Sequence, residues 1–173
     1  MPDRDPTPQP IHPGPVDSAP VYLEDLHVGQ RFAAADDAPL DAAAIKRFAA
    51  EFDPQPFHLD ESAGGDTLLG GFSASGWHTA ALTMRLIEQA GPRVAGGMIG
   101  AGVEIAWPQP TRPGDRLSVE SEILEIRPSR SRPDRGIVVV RTETRNQRGE
   151  VLQVLTARMI VPRRGDATPP ATP

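Results

Sequence analysis

The sequence contains no cysteine, so disulfides, thiolate metal sites and a cysteine nucleophile are all excluded. It has 17 arginines but a single lysine, Lys46, and its five Phe, two Trp and one Tyr make it lean in aromatics. Apolar residues reach only 38% of the chain. No apolar run is long enough to span a bilayer, and the N-terminus lacks the basic-then-apolar pattern of an export signal. These absences lead us to expect a cytoplasmic protein that does not enter membranes. A formal net charge of −5 argues against non-specific binding to nucleic acid. The four histidines show no paired metal-ligand spacing, so no metal site is expected. No Gly-x-Gly-x-x-Gly or phosphate-loop motif is present, so no nucleotide cofactor, and no other cofactor, is expected.

What is present is unevenly distributed. The chain has 173 residues, which suits one domain. Residues 1–20 hold seven of its 20 prolines and few large apolar side chains. Such a segment cannot bury enough surface to offset its ordering entropy, so it reads as a flexible arm, and residues 164–173 read as a similar tail. The folded domain is expected over 21–163. The arginine bias, with abundant Ala, Gly and Pro, suggests a GC-rich bacterial genome.

Within that domain a short strand is expected at Arg31–Ala35. A helix follows over Leu40–Phe52, with Leu40, Ile45, Phe48 and Phe52 close to one face. Pro54 disfavours helical geometry at Asp53 and stops it there. Residues 54–76 read as irregular with a short helical turn. Trp77–Ala90 is the best long helix, ended by Gly91-Pro92, with Ala80, Ala81, Met84, Ile87 and Trp77 as its small and apolar stripe. Four strands are expected after it, over Met98–Trp107, Arg116–Ile126, Gly136–Asn146 and Val151–Val161, the last two joined by a turn at Asn146–Gly149. One helix followed by antiparallel strands is an α+β arrangement, here expected as a curled sheet around a central helix, the hotdog architecture.

The stretch Asp53-Pro54-Gln55-Pro56-Phe57-His58 can carry chemistry. It sets an acid and a histidine five positions apart on a link stiffened by two prolines. Held together, a carboxylate and an imidazole can share one water, one group taking a proton and the other returning it. A plainer reading remains: an Asp before Pro ends helices, and a loop histidine is often a satisfied structural residue.

The segment resembles the signature of the MaoC-like hydratases, Asp-x-Asn-Pro-x-His. Asp53, Pro56 and His58 match in residue and spacing, while Gln55 stands where the family has Asn. Downstream, Ser75-Gly76 precedes the long helix where the family usually has His-Gly, and Pro110–Asp115 resembles the family's turn into a long strand. The likeness covers residues 21–162. It implies a hotdog homodimer acting on an acyl thioester of coenzyme A or acyl-carrier protein in fatty acid metabolism. Water would add to a trans-2-enoyl-CoA to give a 3-hydroxyacyl-CoA, or the reverse. Asp53 and His58 would bind the water, and the Gly76 N–H would hold the thioester oxygen. Gln55, Phe57 and Trp77 are candidates for contact with substrate, and Trp77, Phe57, Met84 and Trp107 for lining an acyl tunnel, though plain core serves each equally well. Thr83 is the nearby helix residue able to support the catalytic loop. His78 is read as structural. Arg127, Arg130, Arg132 and Arg135 read as a solvated hairpin tip. Two other functions stay open: a hotdog thioesterase, and a non-catalytic acyl-thioester-binding subunit.

Overall fold

A computed structural model of the chain describes residues 19–36, 39–63 and 67–165. The expected arm at 1–20 and tail at 164–173 therefore lie outside the described residues, apart from 19–20 and 164–165.

The chain enters through a 3-10 turn at Leu23–Asp25 and forms β1 at Arg31–Ala35. Helix α1 spans Ala42–Phe52. Asp41 caps it by accepting the Ala44 N–H at 2.5 Å, which satisfies a donor with no partner inside the helix. A one-turn helix, α2, follows at Pro56–Leu59, with Pro56 at the first helical position, where its missing N–H costs nothing. Helix α3 runs over Gly76–Ala90. Then come β2 (Ile99–Ala106), β3 (Ser118–Pro128), β4 (Arg135–Arg145) and β5 (Val151–Pro162). These strands pair antiparallel throughout, in the order β1-β3-β4-β5-β2, and an isolated parallel bridge joins Val21 to Val94. The fold is the expected α+β hotdog, with α3 lying against β1, β3 and β5.

Alternation along β3 as far as Ile123, where a bulge breaks it, and along the whole of β4 explains this packing. Val119, Ser121 and Ile123 are buried on one face of β3, in step with Leu117 just before it, and Val138, Val140, Thr142 and Thr144 on the matching face of β4. A period of two puts every second side chain on the helix side. Leu86 of α3 meets Leu117, Val119 and Leu152 there. At the far end Leu23, Leu26, Val94, Ile123, Val138, Val140 and Val161 form a second apolar cluster.

The helix faces differ from the expectation. The buried residues of α3 are His78, Thr79, Thr83, Leu86 and Ala90, not the stripe of Ala80, Ala81, Met84, Ile87 and Trp77. Threonines can face the sheet because they pair with others: Thr79 with Thr111 at 2.8 Å and Thr83 with Thr144 at 2.6 Å. Thr83 thus bonds to β4 rather than supporting the catalytic loop. Ala80, Met84 and Ile87 line an apolar cavity of about 470 Å³ against β2, β3, β4 and β5, and Met84 stays 46% exposed. On α1, Ile45 and Ala49 are buried while Phe52 is 63% exposed. Phe52 packs on Phe48, which itself stacks on His78 at 4.5 Å.

Candidate active site

Helix α1 ends where Pro54 demands it. Asp53 leaves helical geometry at φ −154°, ψ 71°, while its N–H still donates to the Ala49 carbonyl at 2.9 Å. The Gln55 N–H returns to the Asp53 carbonyl at 2.8 Å and the His58 N–H to the Gln55 carbonyl at 2.9 Å. This tight path places the Asp53 and His58 side chains next to each other, with His58 Nε2 3.4 Å from Asp53 Oδ2.

His58 is 5% exposed. Its Nδ1 lies 2.7 Å from the Ser73 carbonyl oxygen, which can only accept, so Nδ1 carries a proton. In its neutral form the ring presents the lone pair of Nε2 on the Asp53 side. Phe57 packs edge-on to the His58 ring at 4.5 Å, and its carbonyl accepts the Ser73 N–H at 3.3 Å.

Both carboxylate oxygens of Asp53 hold donors. Oδ1 accepts from Gln55 Nε2 at 2.8 Å and Oδ2 from the Ser75 hydroxyl at 2.6 Å. Burial pushes the Asp53 carboxyl up, but the bonds from Ser75 and Gln55 and the adjacent His58 outweigh it, so its pKa falls below the usual aspartate value. The longer Gln55 side chain reaches back to the acid two positions before it.

These residues border a cavity of about 600 Å³. Of the six expected site residues, Asp53, Gln55, His58, Gly76 and Trp77 line it; Phe57 does not, since its ring is turned against His58. Gly76 opens α3, and the first N–H groups of a helix have no partner within it and form its positive end. The open side of Gly76 is filled by protein: a Cβ there would meet the Trp107 indole at 2.7 Å. Trp107 packs edge-on to Trp77 at 5.4 Å and donates to Gln153 Oε1 at 2.8 Å.

Sequence reasoning missed two neighbours. Ser75 carries a readable signal, a serine just before a helix, but that signal speaks only of capping. Arg112 lines the cavity and donates to the Phe72 carbonyl at 3.0 Å and to the Leu69 carbonyl, tying down the segment before α3. His78 lies away from this cavity, and burial, reinforced by Arg47 and Arg85, lowers its pKa. Among the described residues no cluster of His, Asp and Glu could hold a metal ion, and no helix is long and apolar enough to cross a membrane.

A carboxylate, an imidazole and a helix N-terminus thus border one cavity. Residues 25–146 match the family model described as MaoC like domain, and the chain belongs to that family. It is of the dehydratase/hydratase kind. The structure resembles that of the MaoC-like dehydratase from Rhodospirillum rubrum, with 59% identity, 84% of this chain and 99% of that chain covered, and a TM-score of 0.80. It also resembles the R-hydratase PhaJ1 from Pseudomonas aeruginosa in its unliganded form, at 26% identity over 88% of this chain and 96% of that one, TM-score 0.64. The protein YdeM of Bacillus subtilis (strain 168) is 33% identical over 129 residues, 73% of this chain and 88% of its own length.

Proposed function

We propose that this protein adds water across the double bond of a trans-2-enoyl thioester, or removes it from a 3-hydroxyacyl thioester, using Asp53 and His58. The observation that carries the reading is the meeting of His58 Nε2 and Asp53 Oδ2 at 3.4 Å on a cavity that also receives the start of α3. Water between the two accepts from neither and donates to both. His58 Nε2 takes one proton as the water oxygen bonds C3. The C2–C3 π pair moves onto C2 and the thioester oxygen, where the free N–H groups of α3 meet the growing charge. Return of one proton to C2 completes the addition. Asp53, with a donor on each oxygen, stays anionic and steadies the water and the imidazolium.

The acyl group, carried by coenzyme A or acyl-carrier protein, extends toward the apolar cavity beneath Met84 and Ile87. The protein acts as a homodimer. Strand β2 is an unpaired edge that exposes Ile99 and Val103, at 54% and 57%, and a second copy covers it.

Crotonyl-CoA tests the reading. Loss of enoyl absorbance without thiol release is the expected result. Thiol release indicates a thioesterase, and inertness toward crotonyl-CoA and longer enoyl-CoAs favours a non-catalytic binding subunit. Asp53→Asn and His58→Ala should each keep the fold and lose most turnover, about 10²-fold or more. Parent-like rates in both variants overturn the assignment.

A further inference from the structure

Ser75 lies where helix capping and the acid–base pair meet. It is 1% exposed and serves as N-cap of α3, its Oγ accepting the Trp77 N–H at 3.2 Å. The same Oγ donates to Asp53 Oδ2 at 2.6 Å, across 22 positions of sequence. A hydroxyl has one proton to give. With the helix N–H occupying an acceptor site on Oγ, that proton points at the carboxylate and not at the α3 backbone.

We infer that Ser75 is a positioning residue that fixes the division of labour between Asp53 and His58, by locking the Asp53 carboxylate as a hydrogen-bond acceptor while the positive end of α3 polarises the hydroxyl that holds it. Oδ1 is engaged by Gln55 at 2.8 Å and Oδ2 by Ser75, so the carboxylate is held in one orientation with a donor on each oxygen and a lone pair of each still open to the water. His58 Nδ1 is engaged by the Ser73 carbonyl, which leaves Nε2 as the ring atom able to take one. Residues 73 and 75 of a single segment therefore set both partners: the backbone of Ser73 fixes the imidazole tautomer, and the side chain of Ser75 fixes the carboxylate. A hydroxyl that accepts from a backbone N–H is a stronger donor, because hydrogen bonds in a chain polarise one another. The ionisable residues lining this cavity are Asp53, on the turn after α1, His58 of α2 and Arg112 before β3. Of these, His58 is the group whose charge acts on Asp53.

The inference rests on the hydratase reading for its kinetic test alone. Three variants separate positioning from capping. Ser75→Gly removes the hydroxyl at a capping cost of only a few tenths of a kcal/mol, Ser75→Ala removes it at about 1 kcal/mol, and Ser75→Thr keeps it. The Asp53 carboxyl carbon is followed by carbon-13 NMR through acid titration, its signal assigned with Asp53→Asn. Its midpoint should rise in Ser75→Gly and Ser75→Ala, because the carboxylate loses a donor to its charged form, and stay at the parent position in Ser75→Thr. With crotonyl-CoA, the two deletions should lower kcat by about tenfold or more with KM little changed, the worth of one hydrogen bond to a charged group, and the acid limb of the pH–rate profile should move to higher pH. A purely structural role predicts lower melting temperatures, ordered Ala below Gly, with the Asp53 midpoint unmoved, and that result overturns the inference. If the parent is inert toward enoyl thioesters, the proposed function falls while the NMR titration still decides what Ser75 does. Should Ser75→Thr fail to fold, the two deletions decide it alone.

Discussion

Replacing Gly76 by Ala probes the join between helix and site. Gly76 has ordinary backbone geometry, so the change brings no conformational strain. The added Cβ instead runs into the Trp107 indole, at 2.7 Å from Cε2, 2.9 Å from Cδ2 and 3.1 Å from Cζ2. The ring cannot tilt freely, because its N–H is bonded to Gln153, a side chain with no exposure. Forcing the ring aside costs about 1–3 kcal/mol in overpacking. Stranding the Gln153 oxygen in the interior costs about 1–3 kcal/mol more. Alanine's better helix propensity returns at most about 1 kcal/mol. The net loss is about 1–5 kcal/mol, a fall in melting temperature of roughly 2–20 °C for a chain of this size. Urea unfolding measures the loss, and fluorescence of the two tryptophans, which pack on each other, should shift in the native state. Trp107→Ala removes the obstacle, so adding Gly76→Ala to it should cost nearly nothing, a coupling of about 2 kcal/mol in the double-mutant cycle. Stability within about 0.5 kcal/mol of the parent in Gly76→Ala, with unchanged fluorescence, refutes the claim that this glycine exists to seat the indole.

Three further outcomes are expected. Gln55→Ala should lower turnover by about tenfold with KM nearly unchanged, because it removes the donor to Asp53 Oδ1; a steady-state assay with crotonyl-CoA checks this. Asp53, whose folded pKa lies below the unfolded one, contributes stability above the unfolded value that is lost as pH falls through the folded value. The gap in urea stability between parent and Asp53→Asn should therefore be wider at about pH 6 than at about pH 3, since both states carry a protonated acid at low pH; an equal gap contradicts the stated direction. Leu86→Ala, at a site 1% exposed among Leu117, Val119 and Leu152, should cost about 2–5 kcal/mol in thermal or urea unfolding while leaving the Asp53–His58 geometry in place.

Local rules carried most of the fold and part of the site. Pro54 stopping α1 at Asp53, Gly91-Pro92 closing α3 and Gly149 turning β4 into β5 are effects between chain neighbours, and all three stand as read. The period of two settled which residues of β3 are buried as far as Ile123, since alternation follows from pleating, and it fails beyond, where a bulge interrupts the ladder with β4. The match of Asp53, Pro56 and His58 to a family pattern likewise lay within one short segment, and five of the six named candidates line one cavity. What the sequence left undecided depended on distant partners. Which face of α3 is buried turned on Thr111 and Thr144, since threonine is as apolar as its surroundings only when its hydroxyl is bonded, and those bonds cross 32 and 61 positions of chain. The place of Phe57 was set by the ring of His58, and the reason for a glycine at 76 by an indole arriving from the end of β2. The second role of Ser75 is of the same sort. Its capping bond reaches two residues along the chain and is legible there, whereas its bond to Asp53 exists only because α1 and α3 are packed together by the finished fold.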